Sequence, residues 1–286
     1  MNIIDGKLVS SFYKNDLRSR ISSSGLKITL AVILVGDNPA SKIYVSMKTK
    51  ECNEVGIYTK DFFLPSDTTE DVVIKIIREL NRDDEIDGIL VQLPLPKHID
   101  EYKVLSSISP LKDVDGFHPE NVGKLLIGKP FVEPCTPKGI IRLMDYYNIP
   151  IEGKRAVVIG RSNIVGKPVS VMLMHRNATV TVCHSKTVGL EEISKQADIL
   201  IVAVGKPRFV NSSMVREGSV VIDVGINKIE IDGRSSIVGD VDFDNVKDLC
   251  SYITPVPGGV GPMTRAMLLE NTYNLAVYRR TCGCSV

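Results

Sequence analysis

Short apolar runs alternate along the chain with segments whose apolar positions recur every three or four residues. The first run, Ile28–Gly36, is rich in Ile, Leu and Val and has the length of a buried strand. Asn38-Pro39-Ala40 then opens a helix, with Pro at its start, that should reach Val55 and stop at Gly56. A second strand is expected over Tyr58–Leu64. Thr68 and Asp71 have the spacing of a capping box, and the helix behind them would bury Val72, Val73, Ile76, Ile77 and Leu80. Asp87-Gly88 precedes the strand Ile89–Leu93, which Pro94-Leu95-Pro96 ends. Strand, helix, strand, helix, strand predicts a parallel sheet with crossover helices.

A stretch dense in Asp, Gly and Pro follows, from Pro110 to Pro137, with a short helical piece near Glu120–Leu126. A helix is expected over Gly139–Tyr147, and then the alternation restarts. Strands are expected at Arg155–Gly160, Thr179–Cys183, Asp198–Gly205 and Val220–Val224, with helices over Lys167–Arg176 and Glu191–Gln196. The loop from Pro255 to Pro262 leads into a final helix from about Thr264 to Val277. The alternation predicts an α/β fold with two open α/β domains. Residues 1–138 form the first domain, with the C-terminal helix, 264–286, packing back on it, and 139–263 form the second.

A length of 286 residues suits two ordinary domains. Lys+Arg is 35 and Asp+Glu is 34, without the basic excess of a dedicated nucleic-acid binder. No apolar run approaches the roughly 18 residues of a membrane helix. The N-terminal segment lacks a signal peptide's basic start and long apolar stretch. The expectation is a cytoplasmic protein with neither a nucleic-acid nor a membrane partner. Six scattered cysteines agree with a reducing compartment. Only Cys282-Gly283-Cys284 resembles a pair. Its spacing is unlike a zinc site, so no metal is expected and the tail is assigned no role.

The candidate chemistry lies at the ends of predicted strands. Gly160-Arg161-Ser162-Asn163-Ile164-Val165-Gly166 joins a buried strand to a helix. That layout turns backbone N–H groups and a helix N-terminus toward a pyrophosphate. The spacing departs from G-x-G-x-x-G and alone suits a tight strand–helix turn of any α/β protein equally well. The next strand ends in Cys183-His184-Ser185-Lys186-Thr187, with no carboxylate for a ribose 2′-OH. Ser185, Arg161 and Lys186 favour NADP over NAD if a dinucleotide binds here. Pro257-Gly258-Gly259 could bring backbone close to a ligand or serve as a connector.

On the first crossover helix Tyr44 and Lys48, four apart, share a face. Ile43, Met47 and Cys52 place that face at the edge of the buried stripe, where partial desolvation would disfavour the ammonium form. The competing account is a lysine that snorkels at the rim of the core. Gln92 interrupts an apolar strand near its C-terminal end, where α/β sheets bind ligands, although it could equally bond a neighbouring loop. Asp113 and Asp115 would point the same way from an extended segment, a thin basis for a metal site. His118, before Pro119, reads as a helix-start residue.

Taken together these segments resemble the bifunctional methylenetetrahydrofolate dehydrogenase/cyclohydrolase family. The matching pieces are Tyr44 to Lys48, Asp87 to Pro96, Lys112 to Gly116, Pro134 to Pro137, Gly160 to Gly166, His184 to Thr187 and Pro257 to Thr264, in the family's order. With the glycine turn, the resemblance implies two open α/β domains around a cleft, a catalytic, folate-binding first domain and an NADP-binding second one, the second a Rossmann-type dinucleotide-binding domain. It implies oxidation of 5,10-methylenetetrahydrofolate with NADP+, then hydrolysis of the methenyl product to 10-formyltetrahydrofolate. These reactions supply one-carbon units to purine, histidine and methionine biosynthesis. By resemblance Lys48 is the acid–base residue, Tyr44 orients it and stacks near the pterin, Gln92 hydrogen-bonds Lys48, and Asp115 holds the pterin. The same resemblance implies that Leu93, Pro257, Gly258 and Gly259 contact folate. It assigns Gly160, Arg161, Ser162, Ile164, Val165, Ser185, Ile226 and Thr264 to the cofactor, and it implies a homodimer. A dehydrogenase without the hydrolytic step, an NAD enzyme and a non-catalytic nucleotide sensor are the competing readings. The Lys48/Gln92 pair and the missing carboxylate after Cys183 speak against them.

Overall fold

The computed structural model describes residues 2–231 and 234–282. It divides into two compact bodies, Phe12–Cys135 with Arg265–Val286, and Met1–Ser11 with Thr136–Thr264. The expectation of one unbroken domain over 1–138 is corrected at its start. The two-residue strand Asn2–Ile3 pairs in parallel with Tyr252–Ile253 and so joins the other body. A strand that short leaves no periodic trace in the sequence. Part of the Cys282-Gly283-Cys284 tail lies outside the described residues, and the side chain of Cys282 is likewise not described.

The first body holds a three-stranded parallel sheet in the order Ile57–Leu64, Ile28–Val35, Gly88–Val91. Ile28–Val35 is central and buried almost throughout, which explains its unbroken apolar run. Pro39–Val55 and Glu70–Arg82 are the crossover helices. The second helix packs Val73, Ile77 and Leu80 against Ala31, Ile33 and Val35. Two expectations about it are corrected. Val72 is exposed, because it lies off the face that meets the sheet. Thr69 is the N-cap and makes no side-chain cap bond, so the capping box does not form. Glu70 and Asp71 instead place negative charge in the first turn, where the helix dipole favours it. At the other end, the fully buried Lys112 donates from Nζ to the carbonyls of Leu80, Asn81 and Asp83 at 2.9, 2.7 and 2.8 Å. It ties together the carbonyls at and just past the helix C-terminus, where few intrahelical donors remain.

The second body is built on six parallel strands in the order Asn2–Ile3, Tyr252–Ile253, Val220–Asp223, Ile199–Val202, Arg155–Ile159, Thr179–Cys183. Counted from Arg155–Ile159, this is the 2-1-3-4-5 doubly wound order with an extra N-terminal strand. The direction of winding reverses beside Arg155–Ile159. Ligands of such sheets bind at the carboxyl ends of the strands flanking that reversal. The hairpin of Asn227–Ile231 with Arg234–Val238 is not visible in the sequence pattern. Neither is the helix Gly6–Ser24, whose buried apolar residues Val9, Leu17 and Ile21 are diluted by Ser, Lys and Arg. Among the described residues no helix is long and apolar enough to cross a membrane.

Candidate active site

In the first body the site begins at the carboxyl end of the sheet. Tyr44 and Lys48 are both half-buried, one turn apart on Pro39–Val55. Burial on this helix differs from expectation. Ser41, Val45, Cys52 and Val55 face inward, while Ile43 and Met47 are exposed at 61% and 39%. Lys48 is thus less enclosed than its apolar neighbours implied, and a specific partner takes the place of bulk burial. Its Nζ donates to Gln92 Oε1 at 3.0 Å.

Gln92 follows the strand Gly88–Val91, and its own N–H donates to Ile33 O at 2.8 Å. Its Nε2 donates to Leu93 O at 2.6 Å. The amide can work only this way round: the NH2 end needs an acceptor, and the oxygen end can receive from an amine. The chain therefore aims an acceptor at Lys48. Leu93 contributes its carbonyl to that arrangement.

Asp115 is placed by the segment before it. Lys112 O accepts from Ile89 N at 2.7 Å, and Asp113 bridges Ile89, laying the segment beside the last strand. The buried carboxylate of Asp113 accepts from Gly116 N, His118 N and Asn121 Nδ2 at 3.1, 2.8 and 2.9 Å. That closes the turn, with Gly116 at φ +71° packed against Pro134. Burial is the main influence on the Asp115 carboxyl and pushes it up to about 6; the positive charge of Lys48 pulls the other way, Asp113 adds to the rise, and a hydrogen bond with Cys135 opposes it. Asp115, Lys48 and Gln92 therefore belong to one electrostatic site. His118 caps Pro119–Leu126, with Nδ1 accepting from Glu120 N at 3.1 Å. Among the described residues no group of three or more His, Cys, Asp or Glu is placed to hold a metal ion.

The sequence pattern does not reveal the residues that hold this segment. Asn271 donates from Nδ2 to Val114 O and Glu133 O at 2.9 and 2.8 Å. Cys135 donates from Sγ to Val114 O at 3.3 Å. An Asn inside an otherwise apolar helix face is the one available signal, and its partners are remote in sequence.

The second body carries the turn Gly160–Gly166 that the sequence offers for a dinucleotide. Gly160 has φ +131°, and a Cβ there would lie 2.3 Å from Ala203 O. A Cβ on Gly166 would lie 2.2 Å from Gly160 O. The five residues between these glycines are thus compatible with the close strand–helix approach that a dinucleotide turn needs. Ser162 Oγ accepts from Val165 N and Gly166 N at 3.2 and 3.3 Å, just before the helix Gly166–His175, whose N-cap is Val165. Arg161 and Ile164 are exposed, and Val165 is half-buried.

Gly160 N donates to Cys183 O at 2.9 Å, which sets the next turn beside the first. There Thr187 N bonds His184 O at 2.9 Å and His184 N bonds Thr187 Oγ1 at 2.8 Å, leaving Ser185 exposed at the tip. A hydroxyl, nearby cationic side chains and no carboxylate at this turn fit a 2′-phosphate. Ile226 is 50% exposed after the strand Val220–Asp223. Thr264 Oγ1 shares a hydrogen bond of 2.9 Å with Thr136 Oγ1. Gly258, at φ +112°, gives its carbonyl to Gly6 N at 2.9 Å. The folate contacts expected from sequence are thus split: Tyr44, Gln92, Leu93 and Asp115 lie in the first body, and Pro257, Gly258 and Gly259 in the second.

The sequence matches the family models for the tetrahydrofolate dehydrogenase/cyclohydrolase catalytic domain over residues 4–115 and for its NAD(P)-binding domain over residues 134–280. The bifunctional protein FolD of Thermodesulfovibrio yellowstonii is 55% identical over 272 residues, covering 94% of each chain. The crystal structure of the bifunctional enzyme FolD, methylenetetrahydrofolate dehydrogenase/cyclohydrolase, from Campylobacter jejuni superposes with a TM-score of 0.94. It shares 52% identity and covers 98% of this chain and 99% of that one. The Trypanosoma brucei FolD structure, complexed with NADP cofactor and inhibitor, superposes with a TM-score of 0.93 at 36% identity, covering 99% and 98%.

Proposed function

The chain belongs to the tetrahydrofolate dehydrogenase/cyclohydrolase family, and from that premise we infer that it oxidises 5,10-methylenetetrahydrofolate with NADP+ and hydrolyses the methenyl product to 10-formyltetrahydrofolate. The observation that carries the mechanism is the Lys48–Gln92 hydrogen bond in the same electrostatic site as Asp115.

Asp115 is the natural acceptor for the amino-pyrimidine edge of the pterin, through two parallel N–H···O bonds. Tyr44, one turn before Lys48, offers its ring to the flat heterocycle. The bound dinucleotide supplies the hydride acceptor. The chain's contribution to that step is orientation, which for two bound reactants is worth several powers of ten. Gly160, Gly166 and Ser162 shape the pyrophosphate turn, together with the backbone of Ile164 and Val165. Arg161 and Ser185 receive the 2′-phosphate, and Ile226 and Thr264 border the nicotinamide.

Loss of hydride leaves a cation across N5, the one-carbon unit and N10. Water adds to that carbon and gives up a proton, and the carbon–N5 bond then breaks as N5 is protonated. Lys48 takes one proton from water and returns it to N5, with Gln92 fixing the amine. The remaining hydroxyl proton leaves to solvent as the formyl C=O forms, so that one proton is released overall. Such proton transfer is worth typically 10²–10⁴-fold in rate. An amine can do this without placing a permanent negative charge against the cation.

A spectrophotometric assay with methylenetetrahydrofolate and NADP+ or NAD+, followed by the decay of the methenyl product, tests the reading. Oxidation with NADP+ preferred and enzymatic loss of the methenyl signal are expected. Absence of oxidation with either dinucleotide overturns it. The same reading carries a homodimer in the cytoplasm, to be checked by light scattering and by cell fractionation.

A further inference from the structure

Two buried aspartates in the second body take no part in the chemistry above. Asp223 ends its strand and is 3% exposed, and Asp240 is fully buried. Asp240 Oδ2 accepts from Val204 N and Gly205 N at 2.7 and 2.9 Å. Its Oδ1 accepts from Lys206 N and Asn227 Nδ2, both at 2.8 Å. Asp223 Oδ1 accepts from Gly225 N and Asp240 N, and its Oδ2 from Val241 N, all at 2.9 Å.

The two segments interlock through glycines. A Cβ on Gly225 would lie 2.3 Å from Asp240 Oδ1, and one on Gly239 would lie 1.8 Å from Asp223 Oδ2. Each carboxylate enters a space that only a glycine on the other segment leaves open. Burying two carboxylates side by side is costly. Burial and the neighbouring negative charge of Asp240 push the Asp223 carboxyl up to about 6, against the hydrogen bonds it accepts. An apolar pair would fill the same volume without that cost, but it could not collect N–H groups from separate loops.

Those loops have a common place. The segment that Asp240 binds starts one residue after Ala203, whose carbonyl abuts Gly160 at the reversal of the sheet. Ile226 lies between Gly225, tied to Asp223, and Asn227, tied to Asp240. Its half-exposed side chain thus sits between a backbone N–H and an amide side chain, each tied to one of the two carboxylates. Asp223 also gives its N–H to Thr254 Oγ1 at 2.7 Å, at the start of the Pro255–Gly259 loop.

We infer that Asp223 and Asp240 are positioning residues for the nicotinamide half of the NADP site, holding Ile226 and the 204–206 loop in place. The inference rests on the cofactor placement given under Proposed function.

The test uses the full chain and NADPH as the probe, titrated by fluorescence, alongside steady-state kinetics. Asp240→Asn leaves one oxygen for four donors and turns an NH2 group toward N–H groups. NADPH affinity should fall about tenfold or more, as loss of hydrogen bonds to a charged acceptor implies. Asn227→Ala removes a single donor and should lower affinity about threefold. The KM for methylenetetrahydrofolate should stay within about twofold, a separation that general loosening of the fold would not give. Asn227→Ala decides alone if Asp240→Asn does not fold. Wild-type affinity in the folded variants, or a folate KM rising in step with the NADPH Kd, overturns the inference. Failure of the wild-type chain to bind NADPH would instead overturn the cofactor reading, and the inference with it.

Discussion

Lys48 and Gln92 are 44 residues apart in the chain, yet the amine donates to the amide oxygen at 3.0 Å. Gln92 is held by its own N–H on Ile33 O and by its Nε2 on Leu93 O. The lysine therefore meets a fixed acceptor rather than a freely rotating one.

Replacing Lys48 by Met keeps the side chain's length and removes its proton chemistry. Methenyl hydrolysis should fall by at least ~10²-fold, the usual weight of a general acid–base group. The thermal midpoint should move little, because Lys48 is only half-buried. Hydrolysis at the wild-type rate would remove Lys48 from the mechanism.

Asp115→Ala should raise the KM for methylenetetrahydrofolate far more than that for NADP+; equal rises would place Asp115 elsewhere. Its carboxyl also gives a pH signature. Pushed up to about 6 in the folded chain, it binds its proton more tightly than in the unfolded chain. The stability this group contributes is present below the ordinary carboxylate pKa and is lost as pH rises through about 6. Asp115→Asn should therefore be more stable than wild type at pH 7.5, by at most about 2–3 kcal/mol. Urea titrations at several pH values should show that gap closing between about pH 6 and 4. A gap independent of pH would contradict the assignment.

Ser185→Asp sets a carboxylate at the tip of the turn proposed to receive the 2′-phosphate. The ratio of kcat/KM for NADP+ to that for NAD+ should fall at least about tenfold, equivalent to 1.4 kcal/mol. An unchanged ratio would mean that the phosphate binds elsewhere.

Lys112→Met removes a donor shared by three carbonyls: Leu80 O and Asp83 O keep backbone donors in Asp83 N and Ile86 N, at 3.3 and 3.1 Å, and Asn81 O loses the bond it has from Lys112. Burial already pushes the amine down to about 8, so the bonds it makes are what keep it there. A loss of roughly 1–3 kcal/mol is expected, the range for one acceptor left without its donor. The midpoint of urea unfolding measures it, and an unmoved midpoint would show that water replaces the ammonium.

How much of this was legible beforehand follows from how each feature is encoded. Pro39 and Gly56 bracket a helix found over Pro39–Val55, because the stop and start signals are local. Ile28–Val35 and Arg155–Ile159 announce themselves through continuous burial. The strand Tyr252–Ile253 and the hairpin 227–238 do not, since pairing rather than composition makes them strands.

By itself the sequence determined the alternation of strands and helices, the two glycines of the nucleotide turn and the residue types offered for chemistry. Those depend on neighbours a few positions apart and on the burial each segment demands. Only the tertiary structure decided that Met1–Ser11 joins the second body, that Ile43 and Met47 face solvent, and that Asp113, Asn271 and Lys112 brace the segment carrying Asp115. Each of these outcomes is a hydrogen bond or a packing choice between residues remote in the chain. Local periodicity carries no information about which distant partner a buried polar group will find.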